Sequence, residues 1–173
     1  AIVAAIRDAQ TDHGIIGRLI AAVDREASPE AALEMVEWVT THRCDETLGI
    51  GMDYSEVNRP PELFAQAYAN ARRACLKTTA HAGEFGMPWT NVRTAVQLLK
   101  VDRLDPERWA LDHPIRRMPG LGLRIHPNTD DPTLHKVTPT RAWLMMVRDF
   151  GFSLDDLRGF MLNGLDAAWM DEG

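Results

Sequence analysis

Cysteine is scarce in this 173-residue sequence, which contains only Cys44 and Cys75 and no Cys-x-x-Cys spacing. A disulfide framework and a zinc ribbon therefore have no support as the basis of the fold. Because so few cysteines suit a reducing compartment, we expect a cytoplasmic protein.

Long apolar runs and an excess of positive charge are also absent. No stretch approaches the ~18 apolar residues of a membrane span, and the N-terminus lacks the basic and apolar regions of a signal peptide. The sequence has 19 Lys and Arg against 25 Asp and Glu, a net charge of −6. This balance argues against nucleic acid or an anionic membrane as the main partner. We expect a small molecule instead.

The sequence does contain a regular alternation of apolar runs and amphipathic helices. The run from Leu19 to Val23 does not alternate with polar residues, which predicts a strand buried on both faces, as in a parallel sheet. Helices are predicted over 2–13, from Pro29, over 61–76 and 89–99, after Thr138 and after Ser153, and strands over 18–24, 47–53, 77–83 and 121–125. The order implies an α/β fold, either doubly wound or closed as a (β/α)8 barrel.

Polar residues at the predicted strand ends favour the barrel. A barrel gathers the loops that follow its strands at one mouth, where the active site lies. An open sheet more often carries a Gly-rich phosphate turn, and neither Gly-x-Gly-x-x-Gly nor a Walker motif occurs here. The strand-end residues are Asp24, Asp53 with Ser55 and Glu56, His81 with Glu84, and Asp130 with Asp131. We therefore predict a TIM barrel forming a single domain over residues 1–173.

Two of these strand ends contain metal-type chemistry. In His81-Ala82-Gly83-Glu84, an imidazole at a strand end can face a metal. The carboxylate of Glu84 can reach the same site, because the intervening glycine frees the backbone. The alternative is that His81 and Glu84 are a capping or surface pair that binds no metal. In Asn128-Thr129-Asp130-Asp131-Pro132, adjacent carboxylates point in different directions, so one can ligate a metal while the other reaches a substrate. The alternative is a turn with an N-capping Asp. Similarly, His126 can line a pocket or serve as a structural histidine.

Together these segments resemble the adenosine deaminase family of the amidohydrolase superfamily, which includes adenosine and adenine deaminases. The similarity runs from Arg18 to Trp169 and lies in the segments SPEAALEMVE, GIGMDYSE, PPELFAQAYANAR, KTTAHAGE, NTDDP and FGFSLDDLRGFMLNGLDAAW.

The resemblance implies a (β/α)8 barrel with one zinc ion per active site. His81 and Asp130 would be zinc ligands, Glu84 would shuttle protons to purine N1, and Asp131 would bind the purine. The implied reaction is hydrolytic deamination of adenosine to inosine plus ammonia, in which zinc activates water and a carboxyl group acts as acid and base.

Glu56 bears on the choice of substrate. Adenosine deaminases usually have a glycine in this loop, whereas Ser55-Glu56 followed by Pro60-Pro61 resembles adenine deaminases. A carboxylate can accept the N9 hydrogen of free adenine, which adenosine lacks. The alternatives are therefore an adenine deaminase forming hypoxanthine, or a degenerate barrel that binds purines without turnover. A homo-oligomeric state is left open.

The sequence departs from the family pattern in two places. It contains no His-x-His pair, and Val101-Asp102-Arg103 continues into Leu104 where the family would reach His-Gly. We expect N-terminal strands and a segment between Arg103 and Leu104 to be missing, so that four of the eight barrel strands remain. The other histidine ligands of the zinc would lie in those missing segments.

Overall fold

The computed structural model describes residues 1–105 and 114–169, and the chain forms two compact units, Ala1–Ala110 and Leu111–Gly173. In the first unit, strands and helices alternate. Its elements are α1 (Ile2–His13), β1 (Leu19–Asp24), α2 (Pro29–Thr41), β2 (Thr47–Asp53), a 3-10 turn (Pro61–Phe64), α3 (Ala65–Arg73), β3 (Lys77–His81), a 3-10 turn (Glu84–Gly86), α4 (Trp89–Thr94), a π-helical turn (Ala95–Leu99) and β4 (Arg103–Asp105).

The four strands form one parallel sheet in chain order, β1-β2-β3-β4. Each strand therefore lies beside its successor, with a helical connection between them. This is the arrangement of neighbouring units in a (β/α)8 barrel. The predicted α/β class and parallel sheet are confirmed.

Strand β2 is covered on both faces, because four successive residues, Gly49 to Met52, are buried. Ile50 and Met52 have no exposed surface, and Val36 of α2 and Tyr68 of α3 are buried with them. Tyr68 also donates a hydrogen bond to the carbonyl oxygen of Thr79 at 2.6 Å, which ties α3 to β3. Burial raises the pKa of the Tyr68 phenol, so the group remains a donor at neutral pH.

Helix α2 begins where the sequence predicts it. The Ser28 hydroxyl accepts a hydrogen bond from the Ala31 amide, and Pro29 occupies the first helical position. Helix α1 is joined to the loop before β2 by an ion pair between Arg7 and Glu46, with 2.5 Å between Nε and Oε1. The hydrogen bond from Arg7 lowers the pKa of Glu46 to about 2.

The second unit contains helices and turns. They are 3-10 turns at Pro114–Arg116 and Pro119–Leu121, followed by α5 (Pro132–His135), α6 (Pro139–Arg148) and α7 (Leu154–Asp166). Ser153 and Asp156 form the predicted capping box at the start of α7. Phe152 and Phe160 pack edge to face, with ring centroids 4.9 Å apart.

One predicted strand is wrong. Residues 121–125 do not form a strand: the chain makes a 3-10 turn at Pro119–Leu121, and Gly122 has a φ of 78°, which suits a turn. A parallel strand also needs a neighbouring strand, and the structure describes none within residues 114–169. Among the described residues, the fourth strand is instead Arg103–Asp105, which pairs with β3.

Among the described residues, no helix has both the length and the apolar character that crossing a membrane would require.

Gly49 provides a test of the sheet. A Cβ at Gly49 would lie 2.3 Å from the backbone oxygen of Lys77 on β3, whereas one at Gly51 would meet side-chain atoms, the methyl groups of Thr79 and Ile20 at 3.1 and 3.3 Å and Asp53 Oδ1 at 3.9 Å. We expect Gly49→Ala to lower the free energy of unfolding by about 1–3 kcal/mol, as overpacking does, and Gly51→Ala to lower it less. Urea denaturation measures both. Equal losses would contradict the described approach of β2 to β3.

Candidate functional site

The carboxyl ends of β1, β2 and β3 bring charged side chains to one edge of the sheet. Asp24 and Asp53 are register partners at the ends of β1 and β2, and His81 ends β3. His81 Nε2 lies 3.5 Å from Asp53 Oδ1, and both side chains are partly exposed, at 27% and 46%. An imidazole and a carboxylate therefore face each other at the expected mouth.

Glu84 turns back towards the same imidazole. Its Oε1 lies 2.7 Å from His81 Nδ1, and its side chain is only 6% exposed. Gly83 makes this return possible, because its φ of 81° is a left-handed conformation that residues with a side chain rarely adopt. The predicted pair of His81 and Glu84 is thus in contact, with a carboxylate on each side of the ring.

The strand end at Asp53 is also strained. Tyr54 follows it with a φ of 71° and a 60% exposed side chain. A bulky residue in the left-handed region is uncommon, and such residues cluster at functional sites. The sharp turn separates the exposed Asp53 from the buried Glu56.

Glu56 lies behind this edge, with its carboxylate bonded within the protein. One oxygen, Oε2, accepts a hydrogen bond from the backbone amide of Glu84 at 2.9 Å. The other, Oε1, accepts one from Asn91 Nδ2 at 2.8 Å and lies 3.6 Å from Arg25 Nη2. Its side chain has no exposed surface. The predicted substrate contact through Glu56 stays a prediction, and the purine would have to reach a carboxylate that is fully buried and already bonded to these partners.

Arg25 is a component of the site that the sequence prediction missed. Its guanidinium is fully buried and donates hydrogen bonds to the carbonyl oxygens of His81 and Arg59, both at 3.0 Å. Burial lowers the pKa of Arg25, and the carboxylates of Glu56 and Glu84 act in the opposite direction. The only sequence signal for Arg25 is its position immediately after the strand-end residue Asp24.

Asp130 and Asp131 lie in the second unit, on an exposed turn that does not follow a strand. Asp130 has a φ of 49°, and its amide donates to Asn128 Oδ1 at 2.9 Å. Asp131 occupies the N-cap position of α5, but its side chain makes no capping hydrogen bond. Both carboxylates therefore face outwards from their own unit, and their predicted roles as zinc ligand and substrate contact stay predictions.

The segment leading to this turn is held by α7. Asn163 Nδ2 donates to the carbonyl oxygen of Ile125 at 3.0 Å, and His126 Nδ1 lies 3.1 Å from the carbonyl oxygen of Phe160. The His126 ring also packs edge to face against Trp143, with centroids 5.7 Å apart. These contacts favour the structural interpretation of His126.

A complete zinc site does not form among the residues that the structure describes. No group of three or more His, Cys, Asp or Glu side chains within residues 1–105 and 114–169 is arranged to hold a metal ion. Structural and catalytic zinc sites take at least three protein ligands. His81 is a suitable single donor, because neutral imidazole is a common zinc ligand.

The family model of adenosine deaminase matches residues 1–106, more than half of the chain. The chain belongs to the adenosine deaminase family. The predicted family is therefore confirmed. The matched region contains the contact between His81 and Glu84 and the buried Glu56.

Curated relatives and solved structures match nearly the whole chain. An adenine deaminase of Marinomonas sp. is 29% identical over 97% of this chain and 59% of its own length, and one of Vibrio parahaemolyticus is 30% identical over 96% of this chain and 59% of its own length.

Among solved structures, a zinc-bound amidohydrolase from Burkholderia ambifaria is 50% identical with a TM-score of 0.80, covering 99% of this chain and 57% of the other. An adenine deaminase from Arthrobacter aurescens, 24% identical with a TM-score of 0.74 over 99% of this chain and 62% of its own, supports the fold alone. The TIM-barrel fold of the amidohydrolase type is confirmed, with only part of the barrel represented.

The chain spans about three-fifths of the length of these relatives. The Marinomonas match extends over 201 residues, 28 more than the 173 residues of this chain. The relative therefore contains residues within the matched span that have no counterpart here. This supports a missing internal segment, and its location between Arg103 and Leu104 stays a prediction.

Gly164 tests how α7 holds the segment before Asp130. A Cβ at Gly164 would lie 2.3 Å from His126 Nδ1, so Gly164→Ala would displace the ring, whereas a Cβ at Gly159 on the same helix meets nothing within 4 Å. Overpacking of this kind costs about 1–3 kcal/mol, and the helix propensity of alanine returns about 0.5–1 kcal/mol, so we expect Gly164→Ala to lower the free energy of unfolding by about 0.5–2 kcal/mol. Gly159→Ala should instead be neutral or stabilise by about 0.5–1 kcal/mol, because alanine is the better helix former. Denaturant titration distinguishes them, and a neutral Gly164→Ala would contradict the packing of His126.

Proposed function

We propose that this protein is a zinc-dependent hydrolase that removes the 6-amino group of a purine, with adenine preferred over adenosine. The observation that carries the proposal is the 2.7 Å contact between His81 Nδ1 and Glu84 Oε1, in the segment that resembles the HAGE motif of the family. It places a candidate metal ligand beside a buried carboxyl group.

In this proposal, His81 and Asp130 are zinc ligands and Asp131 binds the purine. The described residues supply no complete ligand set, so further ligands are needed. When bound, zinc makes water an adequate nucleophile near neutral pH. The chain's own contribution is to present the imidazole at the end of β3 and to keep the carboxyl group of Glu84 next to it.

Glu84 moves the protons. Its carboxylate takes a proton from the attacking water and delivers it to purine N1 as the oxygen adds to C6. A second transfer carries the remaining proton of the new C6 hydroxyl group to the 6-amino group; the C6–N bond breaks, ammonia leaves and the C6 carbonyl forms, so that adenine and water become hypoxanthine and ammonia. A positioned acid and base of this kind contributes about 10²–10⁴-fold to the rate. The low exposure of Glu84 helps to keep bulk water away from these transfers.

The choice of adenine is supported by the relatives rather than by a resolved substrate pocket. The relatives from Marinomonas sp. and Vibrio parahaemolyticus are named adenine deaminase, whereas the matching family model is named adenosine deaminase. The loop Asp53-Tyr54-Ser55-Glu56 also resembles that of adenine deaminases. Adenine to hypoxanthine is therefore better supported than adenosine to inosine.

The substrate assignment is tested by comparing kcat/KM for adenine and adenosine through ammonia release from the zinc-loaded protein. We expect adenine to be preferred by at least about tenfold, which corresponds to about 1.4 kcal/mol. A preference for adenosine would overturn the substrate assignment. Purine binding without ammonia release would favour the degenerate barrel instead.

Glu84→Gln tests the mechanism. Glutamine keeps the shape of the side chain but cannot take up or release a proton at neutral pH, so we expect kcat to fall by about 10²–10⁴-fold with little change in purine Kd. Steady-state assays and calorimetric titration measure these quantities. Glu37→Gln, on the exposed face of α2, is the matched control and should leave both unchanged. Near-normal turnover in Glu84→Gln would refute the assigned role.

A further inference from the structure

The backbone from His81 to Glu84 is held at both ends by charged side chains from other parts of the sheet edge. At one end, Arg25 Nη1 donates to the carbonyl oxygen of His81 at 3.0 Å. At the other, Glu56 Oε2 accepts from the amide of Glu84 at 2.9 Å. Gly83, with its φ of 81°, lies between these two contacts.

The two holding side chains are also linked to each other. Arg25 Nη2 lies 3.6 Å from Glu56 Oε1, and both side chains have no exposed surface. Arg25 Nη2 also donates to the carbonyl oxygen of Arg59 at 3.0 Å, and Arg59 Nε donates back to the carbonyl oxygen of Arg25 at 2.5 Å. Asn91 completes the set by donating to Glu56 Oε1 at 2.8 Å. We call Arg25, Glu56 and Asn91 the buried clamp.

Stability alone does not account for such a clamp. A buried ion pair must offset the cost of removing two charges from water, and well-packed apolar residues often serve stability equally well. What apolar residues cannot do is bond a specific amide and a specific carbonyl oxygen on either side of a glycine. Without these bonds, the permissive backbone of Gly83 would leave the separation of His81 and Glu84 poorly defined.

We propose that Arg25, Glu56 and Asn91 are positioning residues that fix the His81–Glu84 backbone, and that Glu56 acts through Glu84 rather than on the purine. The kinetic part of this inference rests on the proposed deaminase function. Reacting groups displaced by about 1 Å can lose about 10²-fold in rate, so a loosened clamp lowers kcat. KM changes little, because the clamp has no contact with substrate.

The test exchanges the carboxylate and the amide of Glu56 and Asn91. Glu56→Gln leaves one acceptor oxygen for two donors and removes the charge opposite Arg25, whereas Asn91→Asp places two carboxylates together. In the double variant, the amide introduced at position 56 can accept from the Glu84 amide and donate to the carboxylate at position 91, and the number of charges is restored. Each single variant should therefore lose function that the double variant recovers.

Two readouts are measured on each variant. The first is hydrogen exchange of the Glu84 backbone amide by NMR, without metal or substrate, where we expect at least tenfold faster exchange in the single variants and recovery in the double. The second is steady-state kinetics, where we expect kcat to fall about 10–100-fold with KM within about threefold. Glu62→Gln, which changes an exposed acceptor bonded to Thr94, is the matched control and should alter neither readout.

The outcomes separate the inference from the proposed function. If the wild-type protein releases no ammonia, the proposed function fails, while the amide exchange still tests the clamp. If Glu56→Gln leaves Glu84 exchange unchanged, or selectively raises KM for adenine over adenosine without recovery in the double variant, the positioning role is overturned in favour of a substrate contact. If the single variants do not fold, Arg25→Lys replaces them: it keeps the charge but loses the guanidinium fork, and unchanged Glu84 exchange there also overturns the inference.

Discussion

The parallel register of β1, β2 and β3 is the constraint on which the site depends. Because the strands run in the same direction, Asp24, Asp53 and His81 emerge at one edge, and Asp24 and Asp53 are direct register partners. Successive side chains of a strand point to opposite faces, so a slip of one residue in β2 would turn Asp53 away from His81. Because a Cβ at the place of Gly49 would lie 2.3 Å from the backbone oxygen of Lys77, a shift of β2 that brings another residue to that place is disfavoured. The geometry of the candidate site therefore depends on the pairing of apolar strands.

Local chemistry explains which elements could be predicted from the sequence. The strand at Thr47–Asp53 and the helix starts at Ser28 and Ser153 follow from apolar runs and capping residues, which act over a few neighbouring positions. The predicted strand at 121–125 failed because an apolar run becomes a parallel strand only beside a partner. Conversely, the strand at Arg103–Asp105 has only three residues, two of them charged, and pairing with β3 rather than composition defines it.

The site was predictable to the extent that its residues are adjacent in the sequence. His81 and Glu84 are three positions apart, and the intervening glycine indicated that both could serve one site. Arg25 and Asn91 were missed because nothing in the sequence around them indicates that these polar side chains are buried. Their burial depends on contacts with Glu56, which lies 31 positions from Arg25 and 35 positions from Asn91. Glu56 itself was recognised as part of the site, but the direction of its carboxylate was not predictable.

The end of β3 explains why charged residues lie behind the contact between His81 and Glu84. Among the described residues, ladder pairing stops at His81, yet Ala82 and Glu84 are still buried, and no strand within residues 1–105 and 114–169 pairs with them. A buried amide or carbonyl without a partner costs free energy comparable to a lost hydrogen bond. Arg25 and Glu56 replace the missing ladder with side-chain bonds to His81 and Glu84, and each neutralises the other's buried charge. The turn that brings Glu84 back to His81 therefore has a buried ion pair behind it, between Arg25 and Glu56.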